Sequence, residues 1–276
     1  MRNDINNKLI SYAKTNDAIE SMFCIKNENY DSFYKVYTIV NEIIIGKLEE
    51  ELVGLFDDVV LVNRIKEEFT IDKAKVPFTS INIYKKDNTK ITESIISSDY
   101  ADVFIKKLPS DIDFIYNKPG VDRLDTNNNF RYESPKEYEF LSTIRNFFAN
   151  AIEVSLYISE KDEIAASLKM EELRGYLLSM IDFYVKEKYA YTMDKGYDGQ
   201  KLKSTLDLDT KENFLLTYHH EDLMDIYNSL FKACVLFRKL AMQMCQSLGY
   251  AYPKEIDVES LKILRSNYKK LESFLS

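Results

Sequence analysis

The sequence predicts an α+β protein in which a small domain built on a mixed sheet precedes an all-α bundle of helices. Three observations support this fold class. β-branched and alternating apolar residues dominate residues 34–95, turn-forming residues are concentrated over residues 117–135, and apolar residues recur at helical spacing beyond that stretch. We therefore predict a sheet domain over residues 1–118, a linker over residues 119–134 and a helical domain over residues 135–276.

The predicted elements of the first domain are short. Residues 7–22 have the apolar spacing of a short amphipathic helix followed by a turn. A β-rich run covers residues 34–45 and is predicted to end at Gly46. The remaining elements are a helix over 48–56, a strand over 58–62, and a hairpin whose strands 79–84 and 90–95 flank Asp87 and Asn88.

Helical periodicity and capping signals predict the second domain. Ser134, Pro135 and Glu137 form the pattern of an N-terminal helix cap, in which Ser134 caps and Pro135 takes the first helical position. Gly249 marks the C-terminal end of a long helix. The predicted helices cover about 135–152, 173–184, 223–248 and 258–274.

Composition excludes several classes of function. The chain has 7 glycines, with no Gly-x-Gly and no Gly-x-x-x-x-Gly-Lys-Ser/Thr segment, so the two common glycine-rich phosphate loops are absent. Lys and Arg number 37 against 45 Asp and Glu, which gives a net charge of −8, and the basic residues form no dense run. Because such a chain repels phosphate backbones, we expect no nucleic-acid partner.

Cysteine, histidine and apolar patterns indicate a cytoplasmic protein without a metal. Three cysteines with no C-x-x-C pair fit a reducing compartment, and the adjacent pair His219 and His220 cannot form an H-E-x-x-H zinc site. The N-terminus lacks the apolar core of a signal peptide, and no apolar run approaches the ~20 residues that span a bilayer. We therefore expect no membrane partner.

The helical half resembles a known family at five places in the same order over about 140 residues. The matching segments are Asp162-Glu163-Ile164; Arg174 with Leu177, Leu178, Met180 and Ile181; Gly199-Gln200-Lys201-Leu202-Lys203; Leu215-Leu216-Thr217-Tyr218; and Leu236-Phe237-Arg238 with Leu248-Gly249-Tyr250-Ala251-Tyr252-Pro253 and Tyr268-Lys269-Lys270. They resemble the bacterial aminoglycoside 6-adenylyltransferases, also called streptomycin adenylyltransferases. The resemblance implies a nucleotidyltransferase sheet domain, a helical domain, and transfer of AMP from ATP to an aminoglycoside hydroxyl with Mg²⁺.

The resemblance also implies an Asp-x-Asp pair on one strand, a third Asp on a neighbouring strand and a Gly-Ser turn upstream, which together hold two metal ions and the triphosphate. At the matching positions this chain has Phe33, Lys35 and Thr92, and its turn carries Lys26 and Asn27. At an effective dielectric of ~20, a carboxylate ~4 Å from a unit positive charge gains about 4 kcal/mol, and a lysine reverses that sign. We therefore predict no catalytic residue, no metal site and no cofactor.

Further patterns carry weaker functional interpretations, and a structural interpretation is favoured for each. Two acidic pairs could bind a metal, but we interpret Asp111 and Asp113 as a solvated loop and Asp207 and Asp209 as a helix cap. His219 and His220 could supply a general base, but we interpret them as a helix start, and Lys26 and Lys35 could bind an anion, but we interpret them as solvated lysines. Four tyrosines could stack on a sugar-like ligand, but we interpret them as packing residues, namely Tyr184, Tyr189, Tyr191 and Tyr197.

The favoured hypothesis is a pseudoenzyme that keeps the fold of this family, has lost Mg²⁺- and ATP-dependent adenylyl transfer, and binds a ligand or partner. Its ligand would be small and either cationic or sugar-like. The candidate ligand-binding residues, expected in a cleft between the two domains, are Lys26, Asn27, Asn146, Lys201 and Tyr218.

Two alternatives remain open from the sequence. The first is an active nucleotidyltransferase that transfers AMP from ATP to an aminoglycoside or related hydroxyl and so confers antibiotic resistance. It would need ATP and Mg²⁺, and it would recruit carboxylates from elsewhere, such as Asp31, Glu93 or Asp111. The second is a protein-interaction module without a ligand cleft.

Overall fold

The computed structural model of this chain describes residues 2–25, 32–41, 45–71, 74–106, 112–121, 131–196, 199–218 and 222–275. The chain divides into two compact units, Met1–Arg131 and Tyr132–Ser276. This division falls within the stretch 119–134 that the sequence analysis treats as a linker. None of the helices in the described ranges is both long enough and apolar enough to cross a lipid bilayer.

The first unit is a six-stranded mixed sheet with three helices among its described residues. Its elements are α1 (Arg2–Thr15), β1 (Ile19–Ile25), β2 (Phe33–Val40), α2 (Ile45–Gly54), β3 (Val59–Ile71), β4 (Ala74–Lys85), β5 (Lys90–Ser97), α3 (Ala101–Lys106) and β6 (Ile112–Asn117). The strand order is β3-β4-β5-β2-β1-β6. Only the pairing of β2 with β5 is parallel among the pairings described, and the other neighbours are antiparallel. The predicted mixed sheet is confirmed.

Apolar side chains cover both faces of this sheet, because successive residues of a strand point to opposite sides. On one face, α1 and α2 pack against strand residues such as Val36 and Ile91. On the other face, α3 packs through Phe104 and Ile105 against residues such as Tyr37. The sheet is therefore the middle layer of the first unit.

Two details of the first unit differ from the sequence prediction. A turn at Asp17 and Ala18 follows α1, as predicted, but Ile19 and Met22 lie in β1 and not in the helix. The β-rich run ends at Val40, whereas Ile45 and Gly46 belong to α2. Leu48 and Leu52 of α2 are buried against the sheet, and this packing outweighs the strand preference of Ile45. Residues 42–44 lie outside the described residues.

The second unit is helical throughout its described elements, which confirms the predicted all-α domain. Its elements are α4 (Glu137–Ser159), α5 (Glu163–Lys188), the short α6 (Leu202–Thr205), α7 (Leu208–Leu215), a 3₁₀ turn (Leu216–Tyr218), α8 (Leu223–Leu248) and α9 (Lys254–Leu275). The core lies between α4, α5, α8 and α9. At its centre the rings of Phe147 and Phe237 are stacked with their centroids 3.7 Å apart.

Two helix ends of the second unit can be compared with the capping residues predicted from the sequence. Helix α4 begins at Glu137, where the Glu139 carboxylate accepts a hydrogen bond from the backbone N–H of Lys136 at 3.2 Å. The cap predicted at Ser134 is therefore wrong by two residues. Gly249 ends α8 with φ +71°, the left-handed conformation that favours glycine, and this prediction is confirmed.

Candidate functional site

The parallel strands β2 and β5 bring together the three residues at which the resemblance implies carboxylates. Lys35 is the register partner of Thr92, and Phe33 is the register partner of Lys90. Because Phe33 and Lys35 are two residues apart on one strand, their side chains share a face of the sheet with Thr92. On β4, Asn82 is the register partner of Thr92. We call Phe33, Lys35, Asn82 and Thr92 the strand-start cluster.

Among the described contacts, a hydrogen bond and an aromatic contact involve residues of the strand-start cluster. The Thr92 hydroxyl donates to Oδ1 of Asn82 at 2.7 Å, and Asn82 is buried. Nζ of Lys35 lies 4.9 Å from the ring centroid of Tyr37, which is the distance of a cation–π contact. Phe33 is 47% exposed. The cluster thus combines a phenyl ring, an ammonium group, a hydroxyl and an amide.

Aromatic side chains and α3 cover the neighbouring part of this face. Tyr37 stacks on Phe23 with ring centroids 5.2 Å apart, and it also contacts Phe104 of α3 at 5.4 Å. The face therefore changes from an apolar part under α3 to a more exposed, more polar part at the strand-start cluster. A ligand could reach this face at the strand-start cluster, which is why we treat the cluster as the candidate site of the first unit.

The donor set of the strand-start cluster does not fit the Mg²⁺ ions that the resemblance implies. Magnesium prefers carboxylates and other oxygen ligands in octahedral geometry, whereas the cluster offers a hydroxyl, an amide and a cationic Lys35. Within the described ranges, no three His, Cys, Asp or Glu side chains are arranged to hold a metal ion. The donors of the strand-start cluster by themselves therefore do not form the magnesium site that the resemblance implies.

Glu93 follows Thr92 in sequence but lies on the opposite face of the sheet. Its carboxyl group is fully buried and accepts a hydrogen bond from the Thr38 hydroxyl at 2.9 Å. Its second oxygen has no hydrogen-bond partner among the described residues. Burial raises the pKa of Glu93 to about 8, because the charged form is poorly solvated there. Glu93 is a core residue, while Asp31 and Asp111 lie outside the described residues.

Three of the five candidate ligand-binding residues are described, and all three lie in the second unit. Asn146 is exposed on α4, and none of the contacts described joins its side chain to Lys201 or Tyr218. Lys201 is only 6% exposed, and its ammonium group binds the Asp194 carboxylate at 3.0 Å. Lys201 is therefore committed to a structural ion pair. The other two candidates, Lys26 and Asn27, lie outside the described residues.

Tyr218 is held in place by a buried arginine. The Arg174 guanidinium lies 4.5 Å from the Tyr218 ring centroid, and it donates a hydrogen bond to the Thr217 carbonyl at 2.9 Å. Arg174 also pairs with the Glu171 carboxylate. These contacts join two of the segments that carry the family resemblance, namely the Arg174 segment and the segment that ends at Tyr218.

A second ion pair links two parts of the last matching segment through Asp257, which lies outside that segment. Asp257 is 2% exposed and accepts hydrogen bonds from Nε of Arg238 at 2.9 Å and from the Tyr252 hydroxyl at 3.0 Å. The resemblance in the helical unit therefore rests largely on residues that hold the helices together. Sequence reasoning missed Asn82, Asp194 and Asp257, because their partners follow from strand register, the path of a loop and helix packing rather than from a recognisable motif.

The remaining sequence patterns have structural roles or lie outside the described residues. Asp207 caps α7 by accepting from the Thr210 backbone N–H at 2.9 Å, as predicted, and Asp209 pairs with Lys239 at 2.8 Å. The tyrosine hydroxyls bind within the chain: Tyr184 to Asp207, Tyr189 to the Thr205 carbonyl and Tyr191 to Ser134. Asp113 is exposed on β6, whereas Tyr197, His219 and His220 lie outside the described residues.

Known proteins are similar to this chain in sequence and in fold. The family model described as streptomycin adenylyltransferase matches residues 29–266. The structure is similar to that of an aminoglycoside 6-adenyltransferase from Bacillus subtilis, with 17% identity, 96% of each chain covered and a TM-score of 0.50. A nucleotidyltransferase-like protein from Exiguobacterium sibiricum is 9% identical, with 90% of this chain and 78% of that chain covered and a TM-score of 0.39. None of the curated proteins compared with the chain matches it.

Proposed function

We propose a function for this chain, which belongs to the streptomycin adenylyltransferase family. It keeps the adenylyltransferase-like fold, has lost Mg²⁺- and ATP-dependent transfer of AMP, and acts by binding a ligand. The observation that carries this proposal is the register pairing of Lys35 with Thr92 on parallel neighbouring strands. The sequence positions assigned to the metal-binding carboxylates are adjacent in space, yet they present an ammonium group and a hydroxyl.

Electrostatics support the loss of metal chemistry at this face. A lysine within a few ångströms of a divalent ion repels it, and Phe33 and Thr92 supply no compensating charge. Carboxylates near a transferring phosphoryl group act by holding the metal that neutralises the developing charge. A cluster without carboxylates cannot hold this metal and therefore lacks the largest contribution to stabilising the transition state of phosphoryl transfer.

The ligand that we propose is small and either cationic or sugar-like. The net charge of −8 attracts cations over a range set by the ionic strength. We further propose that the protein acts in the cytoplasm, since its three cysteines are free and buried.

An assay of AMP transfer from labelled ATP to streptomycin tests the proposal directly. We expect no incorporation above a protein-free control, with or without Mg²⁺. Incorporation that requires Mg²⁺ and is abolished by Phe33→Ala or Thr92→Ala would overturn the proposal and favour an active nucleotidyltransferase. Titration calorimetry with ATP, with ATP and Mg²⁺, and with streptomycin separates loss of transfer from loss of nucleotide binding.

A restored carboxylate set provides the matched positive control. The variant Phe33→Asp, Lys35→Asp, Thr92→Asp places three carboxylates at paired positions, and we expect it to bind Mn²⁺, which is measurable by electron paramagnetic resonance. The same three acidic residues at exposed positions of α4, in Ser142→Asp, Arg145→Asp, Asn146→Asp, should bind no Mn²⁺ tightly. If the wild-type protein binds Mn²⁺ as well as the restored variant, the positions have been assigned wrongly.

A further inference from the structure

We infer that the helical unit contains a separate ligand site, a cavity that binds a medium-chain carboxylate. The cavity has a volume of about 290 Å³ and lies between α5, the segment around α6, and α7. Its apolar lining comes from Leu178, Leu202, Leu206, Phe214 and Leu215. This inference does not depend on whether the first unit has kept or lost adenylyl transfer.

Two lysines give the cavity its charge. Lys203 and Lys211 line it beside the apolar residues, and of the described residues in its lining none is acidic. Unlike Lys201, neither of these lysines takes part in an ion pair within the described part of the chain. In a protein with a net charge of −8, this is a local reversal of sign. A ligand that matches both features has an apolar body and one negative group.

The wall of the cavity is built in advance of binding. The Tyr218 ring, which lines the cavity, is fixed on one side by the Arg174 guanidinium at 4.5 Å and contacts Phe214 edge-on at 5.5 Å. Arg174 also binds the carbonyl of Thr217, so the backbone next to the ring is fixed too. A wall of this kind binds without the entropy cost of ordering its side chains.

The exposed part of the lining explains what the ligand would gain. Leu215 is 52% exposed and Tyr218 is 47% exposed, so apolar surface faces water at the cavity. An alkyl chain would cover this surface, while its carboxylate meets Lys203 and Lys211. The cavity is at or below the size of sites for drug-sized molecules, which suits a chain of roughly six to ten carbons. A polycationic aminoglycoside would meet two like charges.

Titration calorimetry on the full chain tests the assignment with sodium hexanoate, octanoate and decanoate. We expect saturable binding at one site, with affinity rising about three- to fourfold per methylene until the chain outgrows the cavity. Octanol and octylammonium, which have the same chain, should bind at least tenfold more weakly than octanoate. Streptomycin should not compete with octanoate.

Two sets of variants locate the site. Lys203→Gln with Lys211→Gln should weaken octanoate about tenfold and leave octanol unchanged. Lys269→Gln, at an exposed lysine of α9 in the same unit, is the matched control and should have no effect. Leu215→Asp places a negative charge in the lining at an exposed position that tolerates substitution, and it should also weaken octanoate. Far-ultraviolet circular dichroism checks that each variant is folded.

Several results would overturn the inference. If octanoate binding does not saturate, there is no defined site. If octanoate binds no more tightly than octylammonium, the lysines do not contribute to binding. Unchanged affinity in the Lys203→Gln, Lys211→Gln variant would place octanoate elsewhere. Competition by streptomycin would assign the cavity to a cationic ligand instead. None of these results bears on AMP transfer, so failure here is distinguishable from failure of the proposed function.

Discussion

The strand-start cluster of the first unit differs from two buried charged residues of the second unit, Arg174 and Asp257, in the contacts that surround it. Phe33 is 47% exposed, and the only hydrogen bond described within the cluster joins Thr92 to Asn82. Arg174 and Asp257 are each 2% exposed, and each has several partners on other segments of the chain. We therefore expect substitutions at half-exposed Phe33 to cost less stability than substitutions at Arg174 or Asp257.

This difference bears on the motifs of the family resemblance, which in the helical unit include charged residues that join separate segments of the chain. Residues that join helices must be kept for the fold to persist, because a buried charge without its partner costs several kcal/mol. The motifs of the helical unit are thus evidence for the fold, and they say nothing about catalysis.

The largest expected effect is the loss of a central ring in the helical unit. Phe237→Ala removes one partner of the stack with Phe147 and leaves a cavity in the core. We expect the free energy of unfolding of the second unit to fall by about 4 kcal/mol. Urea-dependent hydrogen exchange on the full chain measures each unit separately. Met242→Ala, at a residue of the same helix that is 51% exposed, should cost no more than about 0.5 kcal/mol.

The next largest effect concerns the buried carboxyl group beneath the sheet. The pKa of Glu93 rises from its ordinary value of 4.5 to about 8 on folding, so the folded state holds a proton that the unfolded state releases. The contribution of Glu93 to the stability of the first unit is therefore greatest below pH ~4.5 and falls as the pH rises to ~8. At pH 7 the penalty is about 3 kcal/mol, at about 1.4 kcal/mol per pKa unit.

Glu93→Gln tests that penalty, because glutamine resembles the neutral acid and can still accept from Thr38. We expect the first unit to gain about 3 kcal/mol at pH 7 and to lose most of its dependence on pH between 4.5 and 8. Exchange of the strand amides in urea gives the free energy at each pH. Glu50→Gln, at an exposed residue of α2, is the control and should leave the slope unchanged. An unchanged slope in Glu93→Gln would show that Glu93 is ionised in the folded state.

A smaller loss is expected where a buried arginine is replaced by an apolar side chain. Arg174→Met fills similar space but leaves the Thr217 carbonyl without its donor and the Tyr218 ring without its cation. We expect a loss of about 2 kcal/mol in the second unit, measured by the same exchange experiment. Arg145→Met, at an exposed position of α4, should be close to neutral. A loss below 0.5 kcal/mol in Arg174→Met would contradict the structural role given to the helical motif.

The sequence was sufficient to predict the fold class but not the contacts of individual residues. Alternation in residues 34–40 and periodicity in α8 reflect burial on one face, which is a local property of the chain. Lys201 was a candidate ligand-binding residue because of its spacing in a motif, yet it forms a buried pair with Asp194. The adjacency of Lys35 and Thr92 depends on the register of two strands that are far apart in sequence.

The smallest expected effect tests whether the strand-start cluster tolerates substitution without loss of stability. Phe33→Asp returns the residue type that the family resemblance implies at this position. Because the side chain is half exposed at the first residue of β2, we expect the free energy of unfolding of the first unit to change by less than about 0.5 kcal/mol. The neighbouring residue Tyr34 is buried on the opposite face of the sheet, and its substitution provides the comparison. Tyr34→Asp should be strongly destabilising, since it buries a charge beside α1. If Phe33→Asp destabilised the sheet as much as Tyr34→Asp, the cluster would be a packing element, and the loss of its carboxylates would reflect the fold rather than the chemistry.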